Sequence, residues 1–151
     1  MKLEIDVDAW ARALGPAVIL MAYFVTNNAR DWDRWDELVA DDATHTANVD
    51  TSGLSVRPLK EMVRGGITEA MPDVRVEVKN VYSHSPLVAF AEWETNGSLR
   101  TGARYENSGF IKFELNEAGK VQNVRVAELS IDAVDLLREA GGVVADERAR
   151  G

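Results

Sequence analysis

Three side chains able to move protons stand among apolar neighbours in this sequence: His45, Glu92 and Glu128. Glu92 lies in Leu87-Val88-Ala89-Phe90-Ala91-Glu92-Trp93-Glu94, where period-two alternation sets Val88, Phe90, Glu92 and Glu94 on one strand face and Leu87, Ala89, Ala91 and Trp93 on the other. Both faces are largely apolar, so Glu92 is expected to be buried, where a carboxylate needs a partner or a proton. Glu128 shares a face with Val124 and Val126, opposite Arg125, Ala127 and Leu129. Turned into an apolar enclosure it would have a raised pKa and could shuttle protons; at a solvated rim, or beside an arginine, it would be structural. His45 has an ordinary pKa of about 6.5, suited to proton transfer near neutrality, and Glu92 could orient it; the alternative is a packed or solvent-accessible histidine without chemistry. Tyr105 and Asn107 share a face with Gly109, Ile111 and Phe113 and could bind a ligand carbonyl or hydroxyl, although core tyrosines more often only satisfy their own hydroxyl. Tyr23, Phe90, Ile111 and Val126 complete the candidate binding set. His84, beside Ser83, Ser85 and Pro86, is expected in an exposed turn.

The bulk properties narrow the partners of such a site. A chain of 151 residues fits one domain, and 28% charged with 46% hydrophobic residues is ordinary globular usage. A net charge of -8 disfavours nucleic acid, whose binding depends on lysine and arginine. There is no cysteine, hence no disulfide, thiolate metal site or cysteine nucleophile, and a cytoplasmic location is expected. The two histidines lie far apart with no metal-binding spacing, so no metal and no cofactor are expected. The apolar run 13–26 follows Glu4, Asp6 and Asp8 rather than a basic segment, so it reads as a buried helix and not as a signal peptide or membrane span.

The elements that must position these groups follow from pattern. Asp6 or Asp8 can cap a first helical segment; Gly15-Pro16 interrupts it, and Pro16 opens a second segment that is apolar nearly all round. Trp32, Trp35, Leu38 and Val39 recur at helical spacing in a short helix headed by Asp31. A strand over 43–49, a turn over 50–53 and a third helix over 57–71, weakened at Gly65-Gly66, come next. Strands over 74–82, 87–94, 104–115 and 121–130 then form a meander, with turns at Ser85-Pro86, Asn96-Gly97 and Glu117-Ala118-Gly119. A helix over 132–139 precedes Gly141-Gly142 and a loose polar tail. Helices followed by a curved antiparallel sheet give an α+β cone whose interior is the natural ligand site.

This order resembles the NTF2-like superfamily, home of SnoaL-like polyketide cyclases, ketosteroid isomerases, limonene epoxide hydrolases and phenazine-biosynthesis proteins. Tyr23-Phe24-Val25-Thr26-Asn27-Asn28-Ala29-Arg30-Asp31-Trp32-Asp33, then Leu38-Val39-Ala40-Asp41-Asp42-Ala43-Thr44, look like its opening helices and its way into the first strand. Tyr105-Glu106-Asn107, Phe113-Glu114-Leu115 and Gly119-Lys120-Val121 resemble a later strand and turn, the first closest to the phenazine type. The resemblance spans roughly 16–140 and implies one domain over 1–140 with a flexible tail over 141–151. It turns the His45 face inward and puts Tyr23 at the oxyanion-hole position of the isomerases, whose two aspartates correspond to Ala47 and Ile111. The epoxide hydrolases' Arg and Asp fall on the strand bearing Glu92 and Glu94. Their second Asp, and the SnoaL-like catalytic aspartate, fall near Val126, two residues before Glu128. The phenazine-type histidine corresponds to Val63. The family's active sites are thus at best rearranged here. The expectation is a cofactor-independent acid-base enzyme, a cyclase, isomerase or dehydratase acting on a bulky apolar molecule such as a polyketide or other cyclic ketone. His45 and Glu128 would move protons while Tyr105, Asn107 or Tyr23 stabilises oxygen charge. A non-catalytic binding or assembly protein using the same cone, and a partner-docking module, are the alternatives. An outward stripe of Leu87, Ala89, Ala91 and Trp93 with Phe110 is expected to make a homodimer.

Overall fold

Val18 to Val25 is apolar on nearly every side, and a helix of that kind must be packed on most of its surface. In the computed structural model, which describes residues 15–50 and 53–140, it forms α1 (Pro16–Ala29), with Ile19, Leu20, Tyr23 and Phe24 buried. Pro16 occupies the first turn, where its missing N–H costs nothing, and the Ala17 N–H donates to Ser83 Oγ at 3.1 Å. Arg30, left-handed at φ 57°, ends the helix. Asn28 ties that end to the sheet: its Nδ2 donates to Val76 O at 2.8 Å and its Oδ1 accepts the Val76 N–H at 2.9 Å. Asp31 caps α2 (Trp32–Leu38), which buries Trp35 and Leu38. The segment headed by Asp6 or Asp8 and the tail over 141–151 lie outside the described residues.

Six strands follow: β1 (Val39–Asp50), β2 (Gly53–Pro58), β3 (Arg75–Ser85), β4 (Val88–Ser98), β5 (Arg104–Leu115) and β6 (Val121–Glu128). They form one curved, unclosed sheet in the order β2-β1-β6-β5-β4-β3, antiparallel except where β1 lies parallel to β6. Between β2 and β3 run α3 (Leu59–Glu61), a π-helical segment (Met62–Ile67) and α4 (Thr68–Ala70). The last helix among the described residues is α5 (Ile131–Glu139). The expected α+β class is therefore observed, with helices packed against the sheet.

Three local expectations are corrected. Arg57 belongs to β2, opposite His45, and helix begins only after Pro58, whose ring cannot continue a hydrogen-bonded ladder. Asn96-Gly97 is not a turn: β4 continues through it opposite Glu106 and Tyr105, and the reversal lies at 99–103, where Leu99 N–H donates to Ala103 O at 2.8 Å. The faces of β4 are the reverse of those expected. Ala89, Ala91 and Trp93 are buried in one core cluster with Ile19, Leu20 and Phe113 of α1 and β5, because two alanines leave room for a helix to lie close. Phe90, Glu92 and Glu94 face outward. The outward dimer stripe is corrected accordingly: of its five residues, only Leu87 and Phe110 are exposed.

Candidate active site

The sheet's inner face is laid out by register. Phe113, Val124 and His45 stand in one row across β5, β6 and β1; Ile111, Val126 and Ala47 in the next; then Trp93, Gly109 and Glu128 across β4, β5 and β6. Above these rows lies a cavity of ≈ 110 Å³, on a scale where one water needs about 10–15 Å³. Its walls are mostly apolar: Ile111, Val124 and Val126 from the sheet, Phe24 from α1, and Met62, Val63 and Ile67 from the π-helical segment. The wide turn is held by Thr68, whose hydroxyl donates to Val63 O at 2.6 Å. At one end Met71, Tyr105 and Leu137 of α5 close over the space.

Polar groups lie at both ends. Glu128, Tyr105 and Thr95 share the end under α5, and burial pushes the Glu128 carboxyl up to about 7. Burial also drives the Tyr105 phenol up to about 12; the bond from Asn107 opposes this, the Glu128 charge adds to it, and Thr95 opposes it. His45 lines the cavity four residues along the strands from the Glu128 row, since Val124 is its partner on β6. That is about 13 Å at roughly 3.3 Å per residue. Burial, with the Arg57 charge adding to it, lowers the imidazole to about 4, so it is neutral at pH 7. Tyr23 sits at the His45 end, edge-on to Phe113 at 4.9 Å, its hydroxyl pKa raised by burial.

The expected residues therefore divide. His45, Tyr23, Tyr105, Ile111, Val126 and Glu128 all line the cavity. Their strand positions set His45 and Glu128 at opposite ends of the cavity, about 13 Å apart along β6. Asn107 is buried but serves as a clamp: its Nδ2 donates to the Tyr105 hydroxyl at 3.1 Å while its Oδ1 accepts the backbone N–H of Ser108 at 2.8 Å and of Ser130 at 3.3 Å. Glu92 and Phe90 lie on the other side of the sheet. Glu92 accepts from Asn80 Nδ2 at 2.6 Å, and Phe90 stacks on Tyr82, with His84 edge-on. Glu92 therefore does not orient His45. His84 is exposed, as expected, though it lies at the end of β3. Sequence reasoning missed Trp93 and Thr95, which line the cavity from β4. The signal was present: Glu92 and Glu94 together mark the solvent face of that strand.

Among the described residues no group of three or more His, Cys, Asp or Glu side chains is placed to hold a metal, and no helix is long and apolar enough to cross a membrane.

Solved structures share this architecture at low identity. IdmH, a candidate polyketide cyclase from Streptomyces antibioticus, is 15% identical over 82% of this chain and 98% of its own, with a TM-score of 0.64. A candidate polyketide cyclase from Xanthomonas campestris is 16% identical over 84% of this chain and 98% of its own, at 0.61. RV0760c from Mycobacterium tuberculosis, solved in complex with estradiol-17beta-hemisuccinate, is 18% identical over 74% and 92%, also at 0.61. Likenesses this remote carry the fold and not the activity. No curated protein matches the sequence. The sequence matches the SnoaL-like domain over residues 20–124, and the chain belongs to that family.

Proposed function

We propose that the cavity binds a largely apolar small molecule carrying a ketone or hydroxyl, and that Glu128 moves a proton on it without a cofactor. The observation that carries this is a carboxyl lining a mostly apolar cavity beside a buried phenol, where burial pushes its pKa up to about 7. A general base works best when its pKa lies near the working pH. Unprotonated Glu128 takes a proton from a carbon next to the ligand carbonyl, and the Tyr105 hydroxyl, held by Asn107, donates to the oxygen that gains charge; protonated Glu128 then returns the proton to another carbon, to a departing hydroxyl, or, where the enolate carbon has attacked a second carbonyl of the ligand, to that carbonyl's oxygen. Cyclisation, isomerisation and dehydration all use these two steps. His45, neutral at working pH, hydrogen-bonds the far end of the ligand rather than joining the proton transfer. Polyketides and other cyclic ketones fit this description, in keeping with the candidate polyketide cyclases among the structural neighbours.

A second reading has its own support. Ala47, Ile111 and Val126 stand where the resemblance sets the carboxylates of catalytic relatives, which favours a binding protein that performs no reaction. Native mass spectrometry after incubation with a panel of cyclic ketones separates the two. An enzyme releases a product of altered mass or retention, and Glu128→Gln stops it; a binder returns every ligand unchanged.

We further propose a homodimer through the outer sheet face and a cytoplasmic setting. Tyr82 at 55% exposure and Phe110 at 47% form, with Phe90, an apolar patch on that face.

A further inference from the structure

A row of three residues crosses the sheet beside the carboxyl: Trp93 on β4 pairs with Gly109 on β5, and Gly109 pairs with Glu128 on β6. Neighbouring strands lie about 4.8 Å apart, so Trp93 and Glu128 are separated by two strand spacings with one glycine between them. That glycine is required. A Cβ at position 109 would lie 2.0 Å from Ala127 O, 2.8 Å from Trp93 Cζ2 and 3.0 Å from Trp93 Cε2. The indole therefore lies across the space that any other residue would fill, and it extends from β4 toward the Glu128 row. Trp93 is only 6% exposed and lines the same cavity as Glu128. Its indole N–H is buried without a hydrogen-bond partner, so packing alone holds the ring in place.

We infer that Trp93 is a positioning residue for the candidate site: its indole, laid over Gly109, is the apolar wall that keeps water from the Glu128 carboxyl. The inference rests on the role proposed above for Glu128. A carboxyl against an aromatic wall loses the hydration its charged form needs, and the acid form persists to higher pH. Ionisable groups also stand on the neighbouring elements. Tyr105 on β5 is uncharged at neutral pH, and His45 on β1, with Arg57 beside it on β2, stands about 13 Å along the strands. Asp132, Asp135 and Glu139 of α5 are exposed, and Lys112 and Arg125 alternate onto the opposite face of the sheet.

The test follows the Glu128 side-chain carboxyl through a pH titration by carbon-13 NMR, in the wild-type chain and in Trp93→Phe, Trp93→Ala and Trp93→Gln. The expected wild-type midpoint is near 7. Trp93→Phe keeps an apolar cover, breaks no hydrogen bond and should hold the midpoint within a few tenths of a unit. Trp93→Ala and Trp93→Gln admit water or a polar group and should move it about one unit or more toward acid. Gln is the substitute of closer volume should the alanine variant unfold. A wild-type midpoint near 7 that is unchanged in either of these variants overturns the inference and leaves the proposed role of Glu128 standing. A wild-type midpoint near 4.5 overturns that role itself and with it the need for a wall.

Discussion

At the scale of single residues, two positions carry opposite and measurable consequences for stability: Glu128, whose contribution depends on pH, and Gly109, which has no room for a side chain. Glu128 has a folded-state pKa raised above its unfolded value, so the folded protein holds its proton more tightly. Its contribution to stability is full below about pH 4.5 and is lost as pH rises through 7. Glu128→Gln removes that dependence, and urea unfolding should find the variant gaining on wild type by up to about 3 kcal/mol between pH 4.5 and pH 8. His45 has the opposite sign: its lowered pKa leaves stability intact above about 6.5 and erodes it as pH falls toward 4. Gly109→Ala drives a methyl into Ala127 O and the Trp93 ring, and denaturant titration should show a loss of about 1–3 kcal/mol or more. Residue roles were only partly legible in the sequence. The face shared by Val124, Val126 and Glu128 followed from strand parity because Arg125 and Ala127 gave the other face a different character. Asn107 was expected to touch ligand because an inward amide looks the same in sequence whether it meets a substrate or the backbone of Ser108 and Ser130.

At the scale of elements, one side chain joins helix to sheet. Asn28 imitates a strand by giving and taking one hydrogen bond with Val76, which sets α1 against β3 at the cavity's rim. Asn28→Ala leaves both Val76 groups without these partners and should cost about 1–3 kcal/mol in thermal or chemical unfolding, whereas Asn28→Asp keeps the acceptor and should lose less. The four-strand meander was legible because its strands are long, rich in β-branched and aromatic residues, and separated by turn residues. β2 was not, since its sequence runs into a helix across Pro58 with no clear break in pattern, and its identity comes from pairing with β1. The face of β4 was missed for a different reason. Ala89 and Ala91 look too small to define a core face, yet they suit it because α1 lies directly over them. The π-helical turns also escaped pattern reading: Gly65-Gly66 signalled weakness, but only the Thr68 bond to Val63 shows how the wider turn is held.

At the scale of the whole molecule, one curved sheet presents a wet face and an enclosed face, and each carries a separate expectation. On the outer face, Phe110 and Tyr82 should bury in a dimer; sedimentation at micromolar concentration is expected to find two chains together, and Phe110→Lys should yield monomers with the cavity intact. On the inner face, the role proposed for Glu128 is that of a base on a carbon acid. Incubation of the wild-type chain with cyclic ketones in deuterium oxide tests this before any natural substrate is known, because removal and return of a proton beside the carbonyl leaves deuterium behind. Mass spectrometry is expected to find bound ketone gaining deuterium faster than in buffer, with a rate that rises through pH 7 and disappears in Glu128→Gln. Ketone that binds in the cavity yet gains deuterium no faster than in buffer, or equally fast with the Gln variant, would contradict the account.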